Sequence, residues 1–118
     1  MKKIMLLAVM LVSICSSCFA EWFYGNSPWE FNSDTVRNIG QNYYVLEVQI
    51  RTHTPDARGN RIMTTATFEP RSQNPYHFKF INPCLIDANG NVVGYVNKRG
   101  MQDFELAVAV GRFAGVNQ

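Results

Sequence analysis

The sequence is 118 residues long, carries a formal net charge of +2, and is 13% aromatic. That length supports one domain around a single compact core, which the aromatic side chains are large enough to fill. Lys2 and Lys3 supply the whole positive excess; without them nine basic residues face nine acidic ones, which argues against nucleic acid or an anionic membrane as the main partner.

The chain opens with Lys2 and Lys3, continues through an apolar run from Ile4 to Ile14, and reaches small residues ending at Cys18-Phe19-Ala20. This is the order of a secretory signal peptide, too short in its apolar part to span a bilayer. Cleavage after Ala20 leaves a domain of 98 residues, 21–118, expected in the periplasm, on the cell surface or secreted. The alternative is lipid attachment at Cys18: Ser16-Ser17 supply a suitable small pair, but Cys15 stands where such a motif wants Leu or Val. Lipidation would change tethering and not the fold. With Cys15 and Cys18 in the signal, Cys84 has no intramolecular partner, so the domain is no disulfide scaffold. Cys84 is expected as a small buried core residue, with an intermolecular disulfide or a reactive thiol as the alternative.

Trp22-Phe23-Tyr24 reads as a short strand closed by Gly25-Asn26-Ser27-Pro28, and Phe31 to Ile39 holds a second around Asp34 to Val36. The clearest element runs from Tyr43 to Thr54. There Tyr44, Leu46, Val48 and Ile50 alternate with Glu47, Gln49, Arg51 and His53, the period of a strand with one dry and one wet face. Pro55 to Asn60 provides a turn. Arg61 to Glu69 resumes the alternation, with Ile62, Thr64, Ala66 and Phe68 on one side, and completes an antiparallel hairpin. A third run places Tyr76, Phe78 and Phe80 together, and Asn82-Pro83 marks a bend or bulge because proline cannot donate to a ladder. Leu85 to Asp87 and Val92 to Val96 flank Ala88-Asn89-Gly90-Asn91, whose Asn-Gly pair is a strong hairpin signal.

The tail carries two patterns. Asp103 can cap a helix from Phe104 to about Phe113, with Leu106, Ala109, Val110 and Phe113 at helical spacing, while residues 107–111 also alternate as a strand would. Alanine and glutamate favour the helix. The fold class is therefore α+β, mostly β, with about five or six strands and a C-terminal helix.

Catalytic and ligand-binding signatures are sparse. Nothing pairs a nucleophile with a base, clusters metal ligands or sets a glycine-rich loop before a helix, so no catalytic residue, cofactor or metal is assigned. His53 and His77 lie on different strands and fall short of the three or four ligands zinc wants. Asp87-Ala88-Asn89-Gly90-Asn91 resembles a calcium loop faintly, but it is too short and lacks a closing glutamate. Glu47, Glu69 and Asp103 could form an acid pair only at a separation the sequence does not fix. Binding residues are the better candidates. Trp29, in a proline-containing loop, and Tyr43, opposite in parity to the buried face, are expected to be exposed. Arg51, His53, Arg58 and Arg61 gather at one end of the first hairpin, where a basic patch could dock an acidic partner.

The order of signal, opening Trp22, short Asp34-containing strand, long strand from Tyr43, paired strands and the Asp87 to Asn91 turn resembles the short secreted bacterial proteins grouped with surface-adhesin protein E. The resemblance implies a single antiparallel sheet with the C-terminal helix packed on one face, and an adhesive role toward host proteins. The tail from 101 to 118 lacks the second cysteine that would tether helix to sheet, so docking falls to Phe104, Leu106, Val110 and Phe113. The chain thus reads as an exported, non-enzymatic binding module with a protein ligand outside the cytoplasm. The alternatives are a small periplasmic enzyme or enzyme inhibitor whose site assembles only in three dimensions, and a structural envelope protein that self-associates through a sheet edge. Intact-mass and N-terminal analysis of the exported chain should find Glu21 as the first residue. A diacylated Cys18 at that position would replace release by anchoring.

Overall fold

A computed structural model describes residues 22–25, 27–43 and 45–116. The segment expected to be a signal, with Cys15 and Cys18, and Tyr44 on the expected dry face, lie outside the described residues.

Alternating side chains produce one antiparallel sheet of seven strands: β1 (Trp22–Tyr24), β2 (Trp29–Asn38), β3 (Leu46–Thr52), β4 (Arg61–Phe68), β5 (His77–Ile86), β6 (Val92–Tyr95) and β7 (Gly100–Gln102). One α-helix among the described residues, α1 (Phe104–Phe113), follows. Strands β1 to β6 are hydrogen-bonded in chain order, and β7 pairs with β5. The seventh strand arises because the chain after Tyr95 stays along one edge of β5: β6 pairs with Cys84 to Ile86 and β7 with His77 to Lys79. Between them Val96 N donates to Pro83 O at 3.0 Å and Phe80 N to Arg99 O at 2.8 Å.

The starts of β3 and β2 depart furthest from their sequence boundaries, each for a local reason. β3 begins at Leu46 rather than Tyr43, because Gln41–Tyr43 forms a 3-10 turn in which Asn42 takes φ 55°, a left-handed conformation incompatible with a strand. β2 runs from Trp29 to Asn38 with extra residues between Asn32 and Arg37 relative to β3. Thr35 bridges that irregularity: its hydroxyl accepts from Gln49 N at 2.8 Å and donates to Asn32 O at 2.8 Å. The bulge expected at Asn82-Pro83 is present, with Asn82 at φ 51° where the β4–β5 register shifts.

The core lies between one sheet face and α1. Leu46, Val48 and Ile50 are fully buried, as are Ala66, Phe78, Ala107 and Val110, with Phe68 and Leu106 nearly so. Leu106 and Val110 dock the helix as expected, but Phe104 and Phe113 are about half exposed and Ala107 and Val116 complete the contact instead. Phe104 stands edge-on to Tyr76, and Phe113 sits beside Phe23 and Phe31 at the margin of the packed stripe. Cys84 is buried and unpaired, its thiol 3.5 Å from Met63 O.

Asp103 ties the two ends of the domain together. Its Oδ1 accepts from Leu106 N at 3.0 Å and caps α1, while its Oδ2 accepts from the Ser27 hydroxyl at 2.6 Å across 76 residues of sequence. Ser27 Oγ in turn accepts from Trp29 N at 3.0 Å and so fixes the start of β2. Asp103→Ala is expected to lower unfolding free energy by about 2 kcal/mol, and Ser27→Ala by about 1 kcal/mol, in urea titrations. Wild-type midpoints for both variants would show that the link contributes nothing.

Candidate functional site

Register decides which side chains meet on each face of the β1–β2–β3 end of the sheet. Trp22 faces Asn32, Phe23 faces Phe31 and Tyr24 faces Glu30, while Glu30 faces Arg51 and Phe31 faces Ile50. Since parity alternates, Phe23, Trp29 and Phe31 share the helix side, and Trp22, Tyr24, Glu30 and Arg51 share the other.

On the side away from the helix, Glu30 is the hub. Its side chain is only 7% exposed; one oxygen accepts a close hydrogen bond from Arg51 Nε and the other lies 3.1 Å from His53 Nδ1. Two aromatic rings flank the network: Trp22 lies under the Arg51 guanidinium at 4.0 Å, and Tyr24 stacks on His53 with ring centroids 3.6 Å apart. A buried carboxylate is costly unless paired and hydrogen-bonded, and here both oxygens are satisfied. The arrangement neutralises Arg51 and turns His53 inward on one side. Arg61 reaches the His53 carbonyl through Nε and Nη2, both at 3.4 Å. The basic patch expected from sequence is therefore largely spent on internal contacts.

Arg58 stands apart, exposed at a hairpin tip. Its turn has a twin. In Asp56-Ala57-Arg58-Gly59-Asn60 and Asp87-Ala88-Asn89-Gly90-Asn91 the aspartate N donates to the asparagine O (2.8 and 2.9 Å) and the glycine N donates to the aspartate O (2.9 and 3.0 Å). Each aspartate Oδ1 also accepts two backbone amides at 2.9 Å, from the residues two and four places on. Gly59 and Gly90 take φ 81° and 83°, which a glycine adopts without steric cost. The same turn forms with Arg58 in place of Asn89, so the oxygen-rich spelling at 87–91 is accounted for by turn chemistry rather than by cation ligation. Among the described residues no three His, Cys, Asp or Glu side chains gather as a metal set.

On the helix side, β1, the following loop and α1 enclose an open cleft of about 410 Å³. Phe23, Trp29 and Phe31 form one wall and Leu106, Ala109 and Phe113 the other. Phe23 and Phe113 are 45% and 53% exposed, and their rings meet at 6.1 Å at the mouth. Ser27, Glu105, Arg112 and, at the strand edge, Tyr24 are its polar members. Ser27 is committed to Asp103, whereas neither Glu105 nor Arg112 makes a side-chain ion pair with the described residues.

The sequence candidates divide accordingly. Arg51 and His53 do come together, around Glu30. Trp29, expected to be exposed, is 5% exposed because it begins β2 on the helix side and packs against Phe80 at 5.5 Å. It meets the cleft as wall, not as free surface. Tyr43 ends the 3-10 turn, and its side chain lies outside the described residues. Glu30, Tyr24, Phe23 and Phe113 were not among the candidates. Glu30 carried a usable signal, a carboxylate set between Trp29 and Phe31.

No family model, curated protein or solved structure matches the chain.

Removing the hub tests its weight. Glu30→Ala should cost about 2 kcal/mol of stability, less than a fully buried pair because Arg51 and His53 keep partial solvent access. A double-mutant cycle with Arg51→Ala should return a coupling of about 1 kcal/mol. Additive single effects would reduce the network to an incidental surface contact.

Proposed function

We propose that this chain is an exported, non-enzymatic binding module and that the cleft between β1–β2 and α1 is its ligand-contacting part. One observation carries the reading. A concave space of about 410 Å³ is walled by aromatic and aliphatic side chains, and two phenylalanines at its mouth stay about half exposed although the core beside them is closed. Ligand sites are commonly apolar hollows of about 300–1,000 Å³ with few polar groups, and exposed apolar patches mark interaction surfaces. The polar members do not converge as an acid–base or nucleophile set: Ser27 is held by Asp103, and Glu105 and Arg112 lie seven residues apart on the helix. That composition favours binding over catalysis.

The resemblance to the surface-adhesin protein E group points the same way. A single antiparallel sheet with its C-terminal helix on one face supports it at the level of architecture. The ligand in this reading is a protein met outside the cytoplasm.

An apolar reporter dye such as anilinonaphthalene sulfonate should bind the folded protein saturably, with one dominant site. Ala109→Phe, which fills the cleft from the helix wall, should abolish that signal while leaving the circular dichroism spectrum and melting transition native. Dye binding unaffected by Ala109→Phe, or absent from the wild type, would overturn the assignment.

A further inference from the structure

Resting on that reading of the cleft, we infer that its occupant is an extended peptide segment, added as a strand to the free edge of β1 and running parallel to α1. Three features of the molecule specify this occupant.

The first is an open backbone edge. Among the described residues β1 ends the sheet and pairs only with β2, so its far side offers amides and carbonyls with no partner there, directly beside the cleft. Strand addition at such an edge gives affinity through main-chain hydrogen bonds and specificity through alternate side chains. The second is wall placement. A strand set next to β1 would turn every other side chain toward the helix side, where Phe23 and Ala109 border the hollow, and the remaining ones toward Trp22 and Tyr24. An acyl chain would fill the hollow but leave the backbone edge unused.

The third is charge, and it sets direction. Phe113, at the end of α1, meets Phe23, while Asp103, at its start, meets Ser27. β1 and the loop after it therefore run antiparallel to α1. A strand antiparallel to β1, the more stable pairing, runs from Glu105 toward Arg112. Those two side chains, which make no ion pair among the described residues, stand seven residues apart, about 10 Å along the helix axis. Positions 1 and 5 of an extended peptide span about 14 Å, which the length of the Glu and Arg side chains accommodates. The matching ligand thus carries a cation at position 1, an apolar residue at 3 and an anion at 5.

The probe is the capped pentapeptide Lys-Thr-Phe-Thr-Glu, titrated to millimolar concentration against the 21–118 chain and followed by amide chemical shifts. Shifts should centre on β1 and on α1 around Ala109. The charge-reversed peptide Glu-Thr-Phe-Thr-Lys should bind about fivefold more weakly, a preference expected from complementary charge together with antiparallel pairing. Glu105→Gln with Arg112→Gln should erase that preference without disturbing the fold. Methylating the peptide's backbone nitrogens should abolish binding while its side chains stay the same.

Equal affinity for the two charge orders, or indifference to backbone methylation, would overturn the inference. Reporter dye displaced by oleate but not by either peptide would assign the cleft to an acyl chain, so the inference would fail while the cleft stands as a site. A concentration-dependent dimer that shields β1 and excludes the peptide would make a second copy the occupant, also against the inference. Failure of dye and peptides alike would remove the cleft itself.

Discussion

The Asp103 carboxylate holds this domain in its working shape. With one oxygen it caps α1 and with the other it grips Ser27, near the far end of the sequence. No disulfide closes the described part of the chain, and Cys84 is unpaired. The helix stays on the sheet through Leu106, Ala107 and Val110 underneath and through this carboxylate at its head. Because Ser27 also holds the Trp29 amide, the same group sets where β2 begins and therefore which residues of β1 and β2 face the helix. The hollow beside α1 is what remains between a helix pinned at its N-terminal end and a strand pair pinned at the adjoining loop.

Most of the architecture was legible in the sequence because period-two alternation is strong wherever one sheet face is dry. Leu46, Val48 and Ile50, then Thr64, Ala66 and Phe68, are buried as their parity requires. The helix from Phe104 to Phe113 and its Asp103 cap also emerge as read. Legibility fell where backbone or long-range pairing overruled pattern. Asn42 in a left-handed conformation cut three residues from the start of β3, and the return of the chain along β5 added a seventh strand from only Gly100 to Gln102.

The candidate sites were less visible, for a reason inherent in sheets. The Glu30 hub assembles from three strands, and its membership depends on the β1–β2–β3 register, which no local spacing encodes. Arg51 and His53 were readable as a pair of basic groups because they are two residues apart in the sequence. Their partner gave only half a signal: Glu30 stands out as a carboxylate between Trp29 and Phe31, but nothing local pairs it with Arg51 and His53. Trp29 misled through its neighbourhood: a proline one residue earlier suggested a loop, yet its parity with Phe31 places it on the dry side. Phe23 and Phe113 meet across nearly the whole chain and became neighbours only through the docking of α1.

The paired turns at 56–60 and 87–91 have a different kind of consequence. Each is fastened from within by backbone amides gathered on one aspartate and by one glycine, which leaves the side chain of its middle residue, Arg58 in the first and Asn89 in the second, facing water with no part in holding the bend. The molecule thus carries two mechanically equivalent fingertips bearing unlike chemistry. A single codon change can repaint either one while the strands behind it keep their alignment, so the surface can diversify there without the interior having to be relearned.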